Sequence, residues 1–305
     1  MAAKFDNATL ENLQDMAYRI RRLVIEMVCH GQWGHIGGSF SLAEILSVLY
    51  FHELNVDPKN PRWEGRDRLV LSKAHSSPAL YAALALRGFF PIENIYTYCE
   101  LNGMLEGHTD MKRTPGLESS GGPLGMGLSI AVGIAIGLQM KENPRSRVYC
   151  IVGDGESNEG NIWEAAMSAA HYQLDNLITV VDYNKVMAKG LVRDLMRIEP
   201  FVAKWRAFGW EVIEVDGHDV SNLIEAFHEA RWIKPHGAPV VIIAHTVKGK
   251  GVERAEFNYK WHTQAPDPRT ADAMLRELSH NYNKQEEGYS RIDLPVKKET
   301  FYGGE

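Results

Sequence analysis

Residues 151–160 read IVGDGESNEG: an apolar, strand-like run stops at Gly153-Asp154-Gly155 and gives way to a polar segment. An Asp-Gly pair can close a hairpin, but a hairpin needs a strand directly after the turn. The chain instead continues as GNIWEAAMSAAHY (160–172), an alanine-rich helical stretch, and then as the β-branched run LITVVDY (177–183). The unit is therefore strand, loop, helix, strand, with a crossover expected to be right-handed. Asp154 then lies just past the C-terminal end of one strand, and Asn184, in VVDYNK, just past the end of the next. In open α/β sheets that edge is where ligands bind.

The alternation continues outward. RVYCIV (147–152) reads as a buried strand, and WEVIEV (210–215) and PVVIIAHTV (239–247) as two more, with a helix around 220–233 between them. Continuous β-branched runs separated by helices predict a doubly wound, mostly parallel α/β sheet with helices on both faces. Upstream, apolar residues from Leu10 to Val28 step at helical spacing, which predicts a helix over 9–29 stopped by Gly31. SLAE (41–44) has the form of a capping box opening a second helix through about His52. RLVLS (68–72) reads as a short strand, followed by a helix with Ser77 as N-cap, Pro78 at its first position and Gly88 as its stop. LGMGLSIAVGIAIGLQM (124–140) is apolar but too short to span a membrane, so it reads as a buried glycine-rich helix packed closely against other backbone. Residues 248–268 are irregular, and one short helix at about 270–280 precedes a polar tail. The expected division is 1–268 as one α/β domain and 269–305 as a terminal helix and tail.

Composition narrows the function classes. The 305 residues are 45% hydrophobic and carry 39 acidic against 33 basic side chains, a net charge of −6, with no long basic run. That balance disfavours a general nucleic-acid or membrane-surface binder. Cys29, Cys99 and Cys150 are odd in number and far apart, which argues against a disulfide framework. With no charged-then-apolar signal pattern at the N-terminus, the cytoplasm is the expected location.

The GDG–Asn pair points to chemistry. Oxygen ligands on short side chains suit a hard cation such as magnesium or calcium, and magnesium often bridges a carboxylate to phosphate oxygens. Glycines let backbone approach an anion, and a following helix N-terminus favours negative charge. A magnesium-bound diphosphate accounts for these features together; an ordinary strand-end loop with a capping aspartate accounts for them separately. His35, His75, His108 and His262 each stand beside small or turn residues, where a single histidine is more often a surface or capping residue.

GDGESNEG followed by DYNK resembles the thiamine diphosphate motif, GDG and then Asn about thirty residues on. GHIGGSFSLAEILSVLYF (34–51), LSKAH (71–75), EGH (106–108), GGPLGMGLSIAVG (121–133) and DGHD (216–219) resemble, in order, segments of the N-terminal, diphosphate-binding half of transketolases. The resemblance covers roughly residues 10–268. It implies a ketol-transferring enzyme with thiamine diphosphate and Mg2+, calcium or manganese being able to substitute. Asp154, the Asn184 side chain and the Val186 carbonyl are implied to hold the metal, with Gly153 and Gly155 at the diphosphate. His75 and His262 are implied on the diphosphate side, and His35, His108 and His262 in proton transfer near the reacting carbons, work that near-neutral imidazoles do well. Gly122, Leu124 and Gly125 are implied to contact the cofactor rings. Glu159, with Glu164, matches acidic residues that link paired active sites across an interface; a solvated first helical turn explains them equally.

Other stretches stay outside the implied site. DGHD reads as a strand end with Asp219 capping the next helix, and KGKG (248–251) as a mobile loop unless it orders over a phosphate. Ala188-Lys189-Gly190 departs from the family, where many relatives carry an apolar residue and then Asp-Gly. No second run of strands and helices follows residue 268. The resemblance therefore implies a separate C-terminal subunit carrying the activating glutamate, assembled as an α2β2 heterotetramer. The alternatives are an α subunit of a 2-oxoacid dehydrogenase decarboxylating component and a non-catalytic domain retaining the fold; GHIGGS and LSKAH favour the transketolase.

Overall fold

The computed structural model describes residues 5–141, 146–232 and 237–285. Among them, strands β1 (Arg68–Leu71), β2 (Val148–Gly153), β3 (Leu177–Tyr183), β4 (Glu211–Asp216) and β5 (Val240–His245) form one sheet in the order β1-β2-β3-β5-β4, every pair parallel. Parallel neighbours cannot be joined by tight turns, so helices make the crossings. In chain order the helices are α1 (Asn7–Gly31), α2 (Ile36–Phe40) and α3 (Ala43–Val48), which precede β1, then α4 (Ser77–Arg87), α5 (Met126–Met140), α6 (Gly160–His171), α7 (Val192–Leu195), α8 (Phe201–Ala207) and α9 (Val220–Trp232) in the crossings, and α10 (Pro268–Asn281) after β5.

Alternate residues of each strand feed two cores. Tyr149, Ile151, Ile178, Val180 and Ile242 pack with α1, α3, α4 and α9. Cys150, Val152, Leu177, Val181 and Ile243 pack on the opposite face with α5, α6 and α8. The sheet is thus buried from both sides, as its unbroken apolar runs require. The chain steps outward from β1 to β3, overshoots to β4 at the edge and returns to β5. That reversal puts α9 on the face opposite α6 and α8.

Each expected strand is present, its ends shifted by no more than two residues. Several expected helix details are not. SLAE forms no capping box: Ser41 instead bonds the buried Asp182, and Glu44 bonds Arg21 of α1. A short α2 precedes it, and α3 runs on into a π-helical turn, Leu49–Glu53. Ser77 is the first residue of α4, its hydroxyl held by the Gly107 carbonyl, and the N-cap position falls to Ser76. Gly31 lies inside α1, where a Cβ would fall 2.8 Å from the Tyr98 ring, and the left-handed residue ending the helix is Gln32. Helix α5 is not enclosed. Leu128, Ala131, Ala135 and Leu138 face the core, whereas Gly133 and Gly137 have nothing within 4 Å of an added Cβ.

Helix α10 lies against α1, with Ala271, Met274 and Leu278 in the same core as Leu13, Ala17 and Ile20. Asp267 caps it by accepting from Thr270 N at 2.7 Å. The polar tail expected beyond it lies outside the described residues from 286 onward.

Candidate functional site

Strand register brings the chemistry together. Gly153 stands opposite Asp182, and Tyr183 opposite His245, so the segments leaving β2, β3 and β5 emerge side by side. Asp154 is buried there; its Oδ1 accepts from Gly155 N at 2.7 Å and its Oδ2 from Lys185 N. Burial, with the neighbouring Asp182 charge, pushes its carboxyl up to about 6. Asn184 Nδ2 donates to Asp182 Oδ2 at 2.9 Å, and its Oδ1 accepts from Val186 N at 3.1 Å. The Val186 carbonyl accepts from Lys248 Nζ at 2.9 Å. Asp154, Asn184 and Val186 line one cavity of about 180 Å³ together with His75, Leu124, Glu159 and His262. Among the described residues no group of three His, Cys, Asp or Glu side chains is spaced to hold a metal. The oxygens gathered here are of another kind: one carboxylate, one amide and one backbone carbonyl, a set suited to a hard cation.

Two lysines build the floor: Lys73, which sequence reasoning passed over, and Lys248, of the KGKG stretch expected to be a mobile loop unless it orders over a phosphate. Lys73 is buried and pairs with Asp182, which also accepts from Ser41 Oγ and Thr246 Oγ1. Burial pushes the Asp182 carboxyl up, but the Lys73 charge and these bonds outweigh it and hold the group below its usual range. Lys248 is equally buried, and its Nζ donates to the carbonyls of Val186 and Met187 and lies 3.1 Å from His262 Nδ1. Among the described residues it has no carboxylate within ion-pair distance. Burial, and then the Lys73 charge, pulls its ammonium down to about 8. KGKG is therefore not an open loop: Lys248 is part of the interior, and Gly249 takes φ +81 with backbone of Ala255 2.0 Å from where a Cβ would be. The Asp154 and Asp182 charges oppose the downward shift of Lys248 without touching its ammonium, and a buried ammonium with no carboxylate in direct contact fits a neighbouring metal-bound diphosphate. LSKAH carried Lys73 in plain view, but a lysine reads by default as a surface residue.

Glu156, also missed, organises the loops above. It accepts from Ser72 Oγ, from Gly125 N at 2.8 Å and from Gly153 N at 2.9 Å. This fixes Gly125, at φ +82, where a Cβ would fall 2.8 Å from that of Glu159. Leu124 is left 40% exposed at the cavity edge and Gly122 faces open space. Glu159 and Glu164 are both exposed.

The four histidines form a cluster. His35, His75 and His262 have ring centroids 5.1–5.2 Å apart, and His108 stands 6.2 Å from His35. Burial lowers all four. His35 falls to about 4 and His262 to about 3, with positive neighbours adding to the effect, and His75 lies well below its ordinary value. They are neutral imidazoles at physiological pH. Elsewhere, Asp219 caps α9 as expected, accepting from Ser221 N and Asn222 N. His218 joins Glu44 and the Val247 N–H, away from the cavity. A larger apolar cavity of about 420 Å³ lies alongside, around Lys185, Leu191 and Phe257. It contains none of the expected site residues; the smaller one does.

Known proteins show the same arrangement of chain. Residues 13–286 match the family described as transketolase, thiamine diphosphate binding domain. The chain is 45% identical over 267 residues to the 6-deoxy-6-sulfo-D-fructose transketolase subunit SqwG of Clostridium sp. (strain MSTE9), covering 88% of this chain and 96% of that one. It is 37% identical over 279 residues to a subunit of the apulose-4-phosphate transketolase of Phocaeicola vulgatus, covering 91% and 97%. The crystal structure of transketolase from Campylobacter jejuni subsp. jejuni superposes with a TM-score of 0.81 at 31% identity, over 92% of this chain but 43% of that one.

Proposed function

The chain belongs to the transketolase family, in its thiamine diphosphate-binding domain, and on that premise we propose that it is the cofactor-binding subunit of a two-chain transketolase. The assembled enzyme would move a two-carbon ketol unit from a ketose donor to an aldose acceptor. One observation carries the reading: Lys248, a buried ammonium with no carboxylate partner, faces the cavity that also gathers Asp154, Asn184 and Val186.

In this reading Asp154, the Asn184 amide oxygen and the Val186 carbonyl hold Mg2+, while Lys73 and Lys248 offset the diphosphate charge. Bound thiamine diphosphate supplies the nucleophilic carbon and the electron sink for the two-carbon fragment. Asp182 orients the Asn184 amide, and Glu156 holds Gly125 and Gly153 at the cofactor's edge. Lys248 donates to His262 Nδ1, which leaves the imidazole proton on Nε2. In this reading the His35 and His108 imidazoles, 6.2 Å apart, exchange protons with the sugar hydroxyls. His75 completes the diphosphate side.

The nearest support for a partner is that similar proteins of matching length are named subunits, whereas the solved transketolase extends well beyond the matched part. A separate C-terminal subunit would bring the activating glutamate, in an α2β2 heterotetramer. No helix among the described residues is long and apolar enough to cross a membrane, and the cytoplasm remains our proposed location. Purification with the native partner, followed by ketol-transfer assays on a panel of ketoses with Mg2+ and thiamine diphosphate, tests the function. Asp154→Ala and Asn184→Ala should abolish magnesium-dependent cofactor binding in calorimetry. Unchanged affinity in both removes the metal assignment, and 2-oxoacid decarboxylation without ketol transfer replaces the function with the dehydrogenase component.

A further inference from the structure

Trp33 packs on the histidine cluster from a partly exposed position, and none of the proposed cofactor contacts uses it. Its ring lies 4.9 Å from His35, edge-on at 83°, and 5.6 Å from His108 at 56°. The indole rests directly on Gly107: a Cβ there would fall 2.5 Å from it, so the residue before His108 must be glycine for the ring to sit where it does. The backbone is set on both sides, by Gln32 at φ +50 and by Gly34 at φ +148 packed against Val28. Trp33 is thus held in place yet remains 38% exposed, while His35 beside it is 6% exposed.

A fixed, flat apolar face beside neutral imidazoles is chemically specific. The C–H side of a polyol chain can lie on the indole while its hydroxyls reach ring nitrogens, the usual division of labour in a pocket with few polar groups. An aldehyde of two carbons reacts at the imidazoles without extending to such a wall. A longer aldose lays its remaining carbons along it.

We propose that Trp33 is a specificity-determining residue, the wall against which the sugar's carbon chain lies beyond the reacting carbonyl, so that long aldose acceptors are preferred over short ones. The inference rests on the ketol-transfer reading. Its test uses the assembled enzyme with cofactor and partner, comparing kcat/KM for a two-carbon hydroxyaldehyde and a five-carbon aldose. Trp33→Ala should lower kcat/KM for the five-carbon acceptor about tenfold or more, with the two-carbon acceptor changed by less than about threefold. Trp33→Phe, which keeps an aromatic face on Gly107, should hold the ratio within about threefold of the parent. Thiamine diphosphate affinity should be unchanged in both variants. A parallel loss on the two acceptors, no change on either, or a phenylalanine variant that loses the ratio as fully as alanine overturns the proposal. Absence of ketol transfer by the parent enzyme on every acceptor overturns the function instead.

Discussion

Lys248 carries its charge into the interior with two carbonyls and an imidazole around it, and removing an ion from water costs several kcal/mol unless a counter-charge stands close. Lys248→Met, of similar length, should therefore raise the melting temperature of the ligand-free protein while weakening thiamine diphosphate binding about tenfold or more, as expected for one lost charge-assisted contact. A calorimetric melt and a cofactor titration on the same variant check both signs; a variant that melts lower and binds as well contradicts the anion-site assignment. The same physics explains what the sequence concealed. Asp154 and Asn184 could be placed together because each follows the end of a strand, and the register does bring those strand ends side by side; the four histidines, each unremarkable alone, were grouped only by the family resemblance, and their rings do stand in one cluster. Lys73, Lys248 and Glu156 were not legible as buried groups, since long charged side chains are exposed by default and only tertiary packing brings them inside. Trp33 was hidden for the opposite reason, an aromatic residue in a glycine-rich turn looking like ordinary core.

Between elements, Glu44 is the knot. It links α3 to Arg21 of α1 by two bonds of 2.6 and 2.7 Å, to His218 ahead of α9 at 2.8 Å, and to Tyr282 after α10. Burial raises its carboxyl, but the Arg21 charge and the His218 bond outweigh burial and hold it at about 2, against an ordinary 4.5. A carboxyl lowered on folding contributes stability that is complete above the unfolded value and is lost as pH falls toward the folded one. The urea midpoint should drop as pH falls from about 4.5 to 2 and do so far less in Glu44→Gln. That variant should already be weaker at neutral pH, on the order of 3–5 kcal/mol, because it leaves Arg21 buried without its counter-charge. A parallel pH slope in both proteins rules out Glu44 as the source. This contact is also why SLAE misled: Ser41 and Glu44 have the spacing of a capping box, yet each is drawn to a partner far away in sequence, Asp182 and Arg21. The strands suffered no such competition, because a β-branched run between helices has few other places to go.

In the whole molecule the cofactor cleft and the outer face of α5 are open together. Leu124 and Met126 are 40% and 48% exposed at the cleft edge, Met140 is 80% exposed at the far end, and Gly133 and Gly137 between them meet nothing. A mid-helix glycine costs roughly 1 kcal/mol relative to alanine, so an unoccupied face gives no reason to keep it, whereas close approach of another backbone does. Gly133→Ala should accordingly stabilise the isolated chain by up to about 1 kcal/mol and weaken its assembly with copies or partners. The larger consequence concerns activity. If the cleft is completed by a second subunit supplying the activating carboxylate, this chain alone should show no ketol transfer with Mg2+ and thiamine diphosphate present, and adding the partner should restore it. Gly133→Ala then separates folding from assembly: a higher melting point alone, with more partner needed for half-maximal activity, places α5 in the interface. Substantial turnover by the purified chain with no accompanying protein would overturn the two-chain reading, and a variant that assembles as tightly as the parent would leave the open face of α5 outside the contact.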